Sequence, residues 1–186
     1  GSTIGSSSVR RKAYLRHLRP DLNVIDIRGN VTTRIDKMLN GQVDALILSA
    51  SGLERIQEGR FVQHVFPTQK MLPACCQGAI GIEYRETDLD IRNLLQDIHH
   101  QETGLCISAE RGALRALNGS CRTPIGAYAI LENQQMTLNI AALRQDGGKI
   151  WKEKKTTLIC TDQEADQLGF SLGLTLKKKI DPNILD

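Results

Sequence analysis

Ile4-Gly5-Ser6-Ser7-Ser8-Val9-Arg10-Arg11-Lys12-Ala13-Tyr14-Leu15-Arg16-His17-Leu18-Arg19-Pro20 is the stretch from which the fold can be read. A short strand ends at Ile4-Gly5, a serine run turns the chain, and a helical stretch from Val9 to Leu18 follows. Pro20 closes it, because proline cannot continue a helix. The same order then recurs. Residues 23–27 alternate like a strand, and Arg28-Gly29-Asn30 makes a turn. Asn30 or Thr32 can cap a second helix running to about Asn40, which Gly41 stops. Residues 45–48 form a buried-strand run, and Ser49-Ala50-Ser51-Gly52 turns into a short helix through Ile56. Strand and helix in strict alternation predict a parallel sheet with helices on its faces, an α/β unit over residues 1–72.

The arginines cluster at the turns of this pattern. Arg10 and Arg11 open the first helix, Arg28 follows the second strand, Arg34 lies early in the second helix, and Arg55 sits in the third. In an open α/β sheet such positions converge on the rim beyond the carboxyl ends of the strands, where ligands bind. Helix N-termini there already favour anions, so cations at helix starts oppose the macrodipole. Any one of these arginines is an ordinary solvated side chain; convergence on one rim points to an anionic ligand. Guanidinium forks suit carboxylates, and phosphate stays open. Aromatic content of 4% leaves few stacking platforms for single-stranded nucleic acid, and a net charge of +3 is too small to imply a nucleic-acid binder.

The second half changes character. Residues 100–117 read as a helix with Ile107, Leu114 and Leu117 apolar, and it delivers Cys121 on the loop Asn118-Gly119-Ser120-Cys121-Arg122-Thr123-Pro124. A thiol in a Gly/Ser turn beside an arginine is a candidate for chemistry, since a nearby cation favours the reactive thiolate; single cysteines also pack as small apolar residues. Strand-like runs follow at residues 125–131, 136–143 and 150–159, separated by Glu-Asn-Gln and Asp-Gly-Gly turns. Asp162 can cap a last helix through Leu176, and Lys177-Lys178-Lys179 suits its C-terminus. This half is predicted to be an α+β unit with a three-stranded antiparallel sheet. The five cysteines fit neither a disulfide framework nor a zinc site, so no metal is expected and reduced thiols in a cytoplasmic protein are the simplest reading. No run approaches the roughly 18 apolar residues of a membrane span.

Taken together, these motifs resemble those of the porphobilinogen deaminases, or hydroxymethylbilane synthases. Gly5-Ser6-Ser7-Ser8-Val9-Arg10-Arg11 is similar to their G-[TS]-S-S-x-R-R run, and Arg28-Gly29-Asn30-Val31-Thr32-Thr33-Arg34 to R-G-N-x-x-T-R. Asp44-Ala45-Leu46-Ile47-Leu48 with Ala50-Ser51-Gly52-Leu53-Glu54-Arg55 resembles D-A-x-x-L-A-x-[AS]-G-L-x-R. Leu72-Pro73-Ala74 and Gln77-Gly78-Ala79-Ile80-Gly81-Ile82-Glu83 resemble L-P-A-x-x-Q-G-A-x-G-I-E. Glu110-Arg111 and Gly119-Ser120-Cys121-Arg122-Thr123-Pro124-Ile125-Gly126 resemble the E-R segment and the G-x-C-x-x-P-I-G loop.

The resemblance implies head-to-tail condensation of porphobilinogen with loss of ammonia, giving a linear tetrapyrrole on the route to haem. It implies a dipyrromethane cofactor joined by a thioether to Cys121, with Ser8, Arg10, Arg11, Arg28 and Arg34 around the cofactor. Arg10, Arg11, Arg34, Arg55 and Gln77 would face the substrate and its growing oligomers. The family's catalytic aspartate lies in a further α/β domain that would precede Gly1. No aspartate here matches it, so no catalytic residue is assigned and the chain is expected to be inactive alone. It further implies that residues 73–98 cross over to pack on that domain, leaving exposed apolar surface open to it or to self-association, and that residues 99–186 form the cofactor-bearing unit. The α/β half also looks like the lobe of a periplasmic-type binding protein, which keeps a non-catalytic anion-binding module as the alternative. No nucleic acid or membrane partner is expected. Cys76 stands where the family commonly has glycine. It is strained if the position needs a positive φ and otherwise a tolerated buried thiol.

Overall fold

The computed structural model describes residues 1–181, so residues 182–186 of the expected last unit lie outside the described ones. Strands β1 (Thr3–Gly5), β2 (Asn23–Ile25) and β3 (Ala45–Leu46) form a parallel sheet in the order β2-β1-β3, with Ile4 opposite both Val24 and Ala45. Helices α1 (Val9–Leu18), α2 (Val31–Leu39) and α3 (Ala50–Arg55) alternate with them, as the pattern of apolar runs and turns predicts. Ser8 caps α1 through its Oγ, which accepts the Arg11 N–H at 3.3 Å, and the Asn30 side chain caps α2 at the Thr33 N–H, 2.8 Å away.

The outer strands are shorter than expected, Asn23–Ile25 against 23–27 and Ala45–Leu46 against 45–48. The cause is the central strand. After Gly5 the chain turns into α1, so only single bonds extend the ladder, from Ser6 N to Ile25 O (3.0 Å) and from Ile47 N to Gly5 O (3.2 Å).

A 3-10 turn at Gly59–Phe61 and a long irregular stretch lead to α4 (Leu89–Gln96) and then α5 (Gln101–Ala116). Strands β4 (Ile125–Glu132), β5 (Gln135–Leu143) and β6 (Ile150–Leu158) form the expected antiparallel sheet, ordered β4-β5-β6. The β4–β5 hairpin closes with Glu132 opposite Gln135, and both turn residues, Asn133 and Gln134, have positive φ (50° and 64°), the geometry that matches the twist of a two-residue hairpin. Among the described residues β6 pairs with β5 alone, and it carries exposed Lys152, Lys154 and Lys155.

Helix α6 (Asp162–Lys177) starts one residue earlier in its capping than the sequence suggests. Thr161, not Asp162, is the cap, because only Thr161 is placed to form a capping box with Glu164. The seam between α5 and α6 is made of small residues: Ala109, Gly112, Ala113 and Ala116 face Gly169 and Gly173. A Cβ on Gly169 would lie 1.9 Å from the Ala109 carbonyl oxygen, so the backbones are in direct contact. Of the apolar positions expected on α5, Leu117 is fully buried, whereas Ile107 and Leu114 are only half-buried.

The antiparallel sheet joins the two halves. Met136, Leu138, Ile140 and Ala142 on one face of β5 pack with α5 and α6. Ala141 and Leu143 on its other face share a core with Ile4, Ala13, Tyr14, Leu15, Met71 and Leu72. At the edge of this joint the His17 ring Nδ1 meets the Gly147 carbonyl at 2.9 Å and Arg16 Nη1 donates to the Gln145 carbonyl at 3.0 Å. Gly147 has φ +80°, and a Cβ there would stand 2.6 Å from the His17 backbone nitrogen.

Gly169→Ala has no room at the helix seam, and overpacking of this kind costs about 1–3 kcal/mol. We expect a lowered urea midpoint with unchanged slope.

Candidate functional site

The rim above the parallel sheet is built from the serine turn outward. Ser6 is buried, Ser7 Oγ donates to the Ile27 carbonyl, and Ser8 spends its hydroxyl on capping α1. That cap sets the first turn of α1 and with it Arg10 and Arg11. Arg10 is only 6% exposed. Its Nη1 donates to the Leu72 carbonyl, and its Nη2 reaches Gln77 Oε1 at 3.5 Å, a long contact. Burial, then the neighbouring Arg11, push the Arg10 guanidinium down to about 10. Arg11 donates to the Ile47 carbonyl at 3.2 Å, and burial followed by the charge of Arg34 lowers its pKa also. Arg34 is half-buried, with Nε donating to the Gly29 carbonyl at 2.8 Å. Arg28 and Arg55 are exposed, Arg55 as the last residue of α3.

None of Arg10, Arg11, Arg28, Arg34 or Arg55 has an ion-pair partner among the described residues. Elsewhere Lys12, Arg19, Arg60, Arg85, Arg115, Arg144 and Lys179 each hold a carboxylate. The Asp26 carboxylate, beside the rim, is taken by Lys12 at 2.6 Å. Two cations that are mostly buried, adjacent and unneutralised are electrostatically unfavourable by themselves, and an anion between them relieves both.

A cleft of about 660 Å³ opens beside these arginines. Arg10, Arg11 and Gln77 line it with Ser49, Ser51 and His64, and Ile35, Met38 and Phe66 are among its apolar residues. Ser8, Arg28, Arg34, Arg55 and Cys121 do not line it. Thus the structure brings Arg10, Arg11 and Gln77 to one cavity, puts Arg34 close enough to act on Arg11, and leaves Arg28 and Arg55 outside. Ser49, Ser51 and His64 were missed: in the sequence the serines read only as a turn, and His64 lies in a stretch without periodicity. Asp44 also lines the cleft, but its Oδ2 accepts the Thr3 N–H at 2.7 Å.

Cys121 is exposed on the loop after α5. The loop is closed by its own hydrogen bonds, from the Ser120 N–H to Thr123 Oγ1 (2.7 Å), from Thr123 Oγ1 to the Ser120 carbonyl (2.8 Å) and from the Arg122 N–H to Ser120 Oγ (3.1 Å). The buried Pro124 anchors it, accepting the Leu143 N–H at 3.0 Å. The arrangement presents a thiol on a fixed turn. Cys75 is the opposite case: burial, then the Glu110 charge, push its thiol up to about 12.

The segment 72–77 links the cleft to the second half. Its Pro73 carbonyl accepts the Ala127 N–H at 3.2 Å. The buried Glu110 accepts the Cys76 N–H at 2.6 Å and the Ala129 N–H at 2.9 Å. Cys76 has φ +61°, so the strained alternative holds at this position. Cys75 and Cys76 are both free thiols.

The site thus combines an α/β unit, whose rim arginines have no ion-pair partner among the described residues, with an α+β unit that displays a cysteine turn. The pattern of the family described as "Porphobilinogen deaminase, dipyromethane cofactor binding domain" matches residues 1–93, and that of "Porphobilinogen deaminase, C-terminal domain" matches residues 104–178. The porphobilinogen deaminase of Sorangium cellulosum is 39% identical over 179 residues, covering 96% of this chain and 60% of the relative. Those of Chloroherpeton thalassium (39% over 174 residues, 93% and 55%) and Syntrophotalea carbinolica (38% over 176 residues, 95% and 55%) are similar in the same way. The chain belongs to the porphobilinogen deaminase family. It spans 55–60% of the length of these curated relatives.

Two outcomes are expected of the thiols. Under native conditions at pH 8, peptide mapping after brief alkylation should find Cys121 and Cys160, both exposed, modified before Cys75. Cys76→Gly should raise stability by about 1 kcal/mol, since glycine removes the left-handed penalty; an unchanged or lower urea midpoint would contradict it.

Proposed function

We propose that this chain is the cofactor-bearing and carboxylate-binding part of a porphobilinogen deaminase, the transferase that condenses porphobilinogen head to tail into hydroxymethylbilane. The observation that carries the reading is the set of rim arginines without acidic partners among the described residues, beside a cleft of about 660 Å³. Each pyrrole carries an acetate and a propionate, so a growing chain brings many negative charges to one place. Arg10 and Arg11 offset that charge in the cleft, and Arg28, Arg34 and Arg55 extend the cationic field toward its surroundings. Gln77 would orient a ring through its amide, and Ser8 acts through the cap that fixes Arg11.

The dipyrromethane suits these residues. Its carboxylates need unpaired guanidinium groups, and its thioether needs an exposed thiol, which Cys121 supplies. When bound it would supply a covalent primer, held by Cys121 through the thioether and by the arginines through its carboxylates. Cys121 then serves as an anchor, holding the chain end local while the arginines hold the carboxylates. No aspartate of this chain is assigned a proton-transfer role, and Asp44 in the cleft is committed to the Thr3 N–H. These residues on their own are therefore proposed not to turn over porphobilinogen.

The proposal includes the organisation behind the site: a carboxylate-binding α/β unit over residues 1–72, built like the lobe of a periplasmic binding protein, a crossover at 73–98, and a cofactor-bearing unit from residue 99. Ile80 (77% exposed), Leu94 (68%) and Ile98 (66%) place bare apolar surface on the crossover, which supports association with another polypeptide, the family's preceding domain or a second copy. No described helix is long and apolar enough to cross a membrane. A cytoplasmic setting fits the free thiols. A non-catalytic anion-binding module is the second reading; the fixed Cys121 turn favours the first, because simple anion binding has no use for it.

Isothermal titration with propane-1,2,3-tricarboxylate tests the site. We expect binding that weakens with salt and falls at least about tenfold in Arg11→Ala, the loss of a charge-assisted pair. Absence of binding by the unaltered chain would sink the carboxylate reading. An intact mass showing a two-pyrrole adduct, mapped to Cys121, would establish the cofactor anchor. Tetrapyrrole formation by this chain alone would overturn the claim that it is inactive.

A further inference from the structure

Glu110 lies on α5, in the other half of the molecule from the arginine rim, yet it is only 5% exposed and has no cationic partner among the described residues. Buried carboxylates without a cation survive on hydrogen bonds to the charged form. Glu110 has two. Its Oε1 accepts the Ala129 N–H at 2.9 Å and its Oε2 accepts the Cys76 N–H at 2.6 Å. Along the outer edge of β4, the Ala127 N–H goes to the Pro73 carbonyl and the next N–H on that edge, Ala129, goes to Glu110. The segment 72–77 and the carboxylate together therefore take the place of a neighbouring strand.

Cys76 is held at φ +61°, a region that side chains with a Cβ avoid. Its N–H bond to Glu110 is short and charge-assisted, and it is the contact that offsets this strain. The residue that follows is Gln77. Its N–H bonds the Ala74 carbonyl at 3.1 Å, and its Oε1 faces the Ala74 N–H (3.4 Å) and Arg10 Nη2 (3.5 Å). Leu72, at the other end of the segment, is held by Arg10 Nη1.

We propose that Glu110 is a positioning residue of the anion site: by pinning Cys76 in its left-handed turn, it sets Gln77 against Arg10 at the mouth of the cleft. The inference rests on the reading of that cleft as a carboxylate site. It does not require Glu110 to touch a ligand. A carboxylate is needed, because both oxygens accept. In Glu110→Gln one position becomes an NH₂ group facing a backbone N–H, with little change of shape.

The test compares the 186-residue chain with Glu110→Gln, Gln77→Ala, the double variant and Leu172→Ala, the last being a core truncation on α6 that lowers stability from outside segment 72–77. With propane-1,2,3-tricarboxylate as probe, Glu110→Gln should weaken binding about five- to tenfold, within the range expected for loss of a well-placed polar contact. Leu172→Ala should leave binding within about twofold of the parent. The double variant should bind no more weakly than Gln77→Ala, since Glu110 acts through Gln77. In the free protein, the Cys76 amide, the Gln77 side-chain amide and the Arg10 Nε–H should shift by NMR in Glu110→Gln and stay in place in Leu172→Ala. Equal weakening by Glu110→Gln and Leu172→Ala, additive effects in the double variant, or unmoved Gln77 and Arg10 resonances would each overturn the proposal. If the parent chain fails to bind the probe, the carboxylate reading falls, and the ligand-free resonances alone decide whether Glu110 positions Gln77.

Discussion

Arg10 and Glu110 are the two buried charged side chains among the described residues, and they never meet. Each instead holds one end of the segment 72–77, the cation through the Leu72 carbonyl and the anion through the Cys76 N–H. Burying an isolated charge is expensive, so both groups must keep these bonds. The segment is thereby fixed between α1 and α5. The shared core of Ile4, Tyr14, Leu72, Ala141 and Leu143 completes the join. The arginine rim is thus joined to the rest of the molecule by two polar tethers together with this shared apolar core.

The same economy leaves the rim unsatisfied. Lys12 neutralises Asp26, and none of the ion pairs among the described residues includes Arg10, Arg11, Arg28, Arg34 or Arg55. Arg10 and Arg11 lean on backbone carbonyls, which satisfy their N–H groups but supply no counter-charge. Desolvation lowers both guanidinium pKa values, and each is lowered further by a neighbouring cation. A folded protein that retains this arrangement holds electrostatic energy available to an incoming anion.

Much of this was legible in the residues. The serine turn, the Asn30 cap and the apolar runs specify the α/β half, because local capping and period-2 or helical patterning act over a few residues. The hairpins of the second half were readable for the same reason. What escaped depended on distance in sequence. The length of β2 and β3 is set by where β1 ends. The α5–α6 seam uses alanine and glycine, which carry little hydrophobic signal, so Ile107 and Leu114 looked more central than they are. Glu110 belonged to a quoted motif, but its role needs Cys76, 34 residues away, and Ala129. Arg55 lies at the exposed end of a short helix, outside the lining of the cleft, which residue order alone does not reveal.

The free edge of β6 bears on how this chain keeps company. An open strand invites addition of another, and Lys152, Lys154 and Lys155 line this one. Lysines along an edge repel an approaching copy and must be desolvated before backbones can pair. The sheet is therefore guarded against fibre-like growth, even though the hairpin beside it is rich in β-forming residues. Bare apolar surface is concentrated instead on residues 80–98. The edge that resists strand addition and the stretch richest in bare apolar surface are thus different parts of the chain.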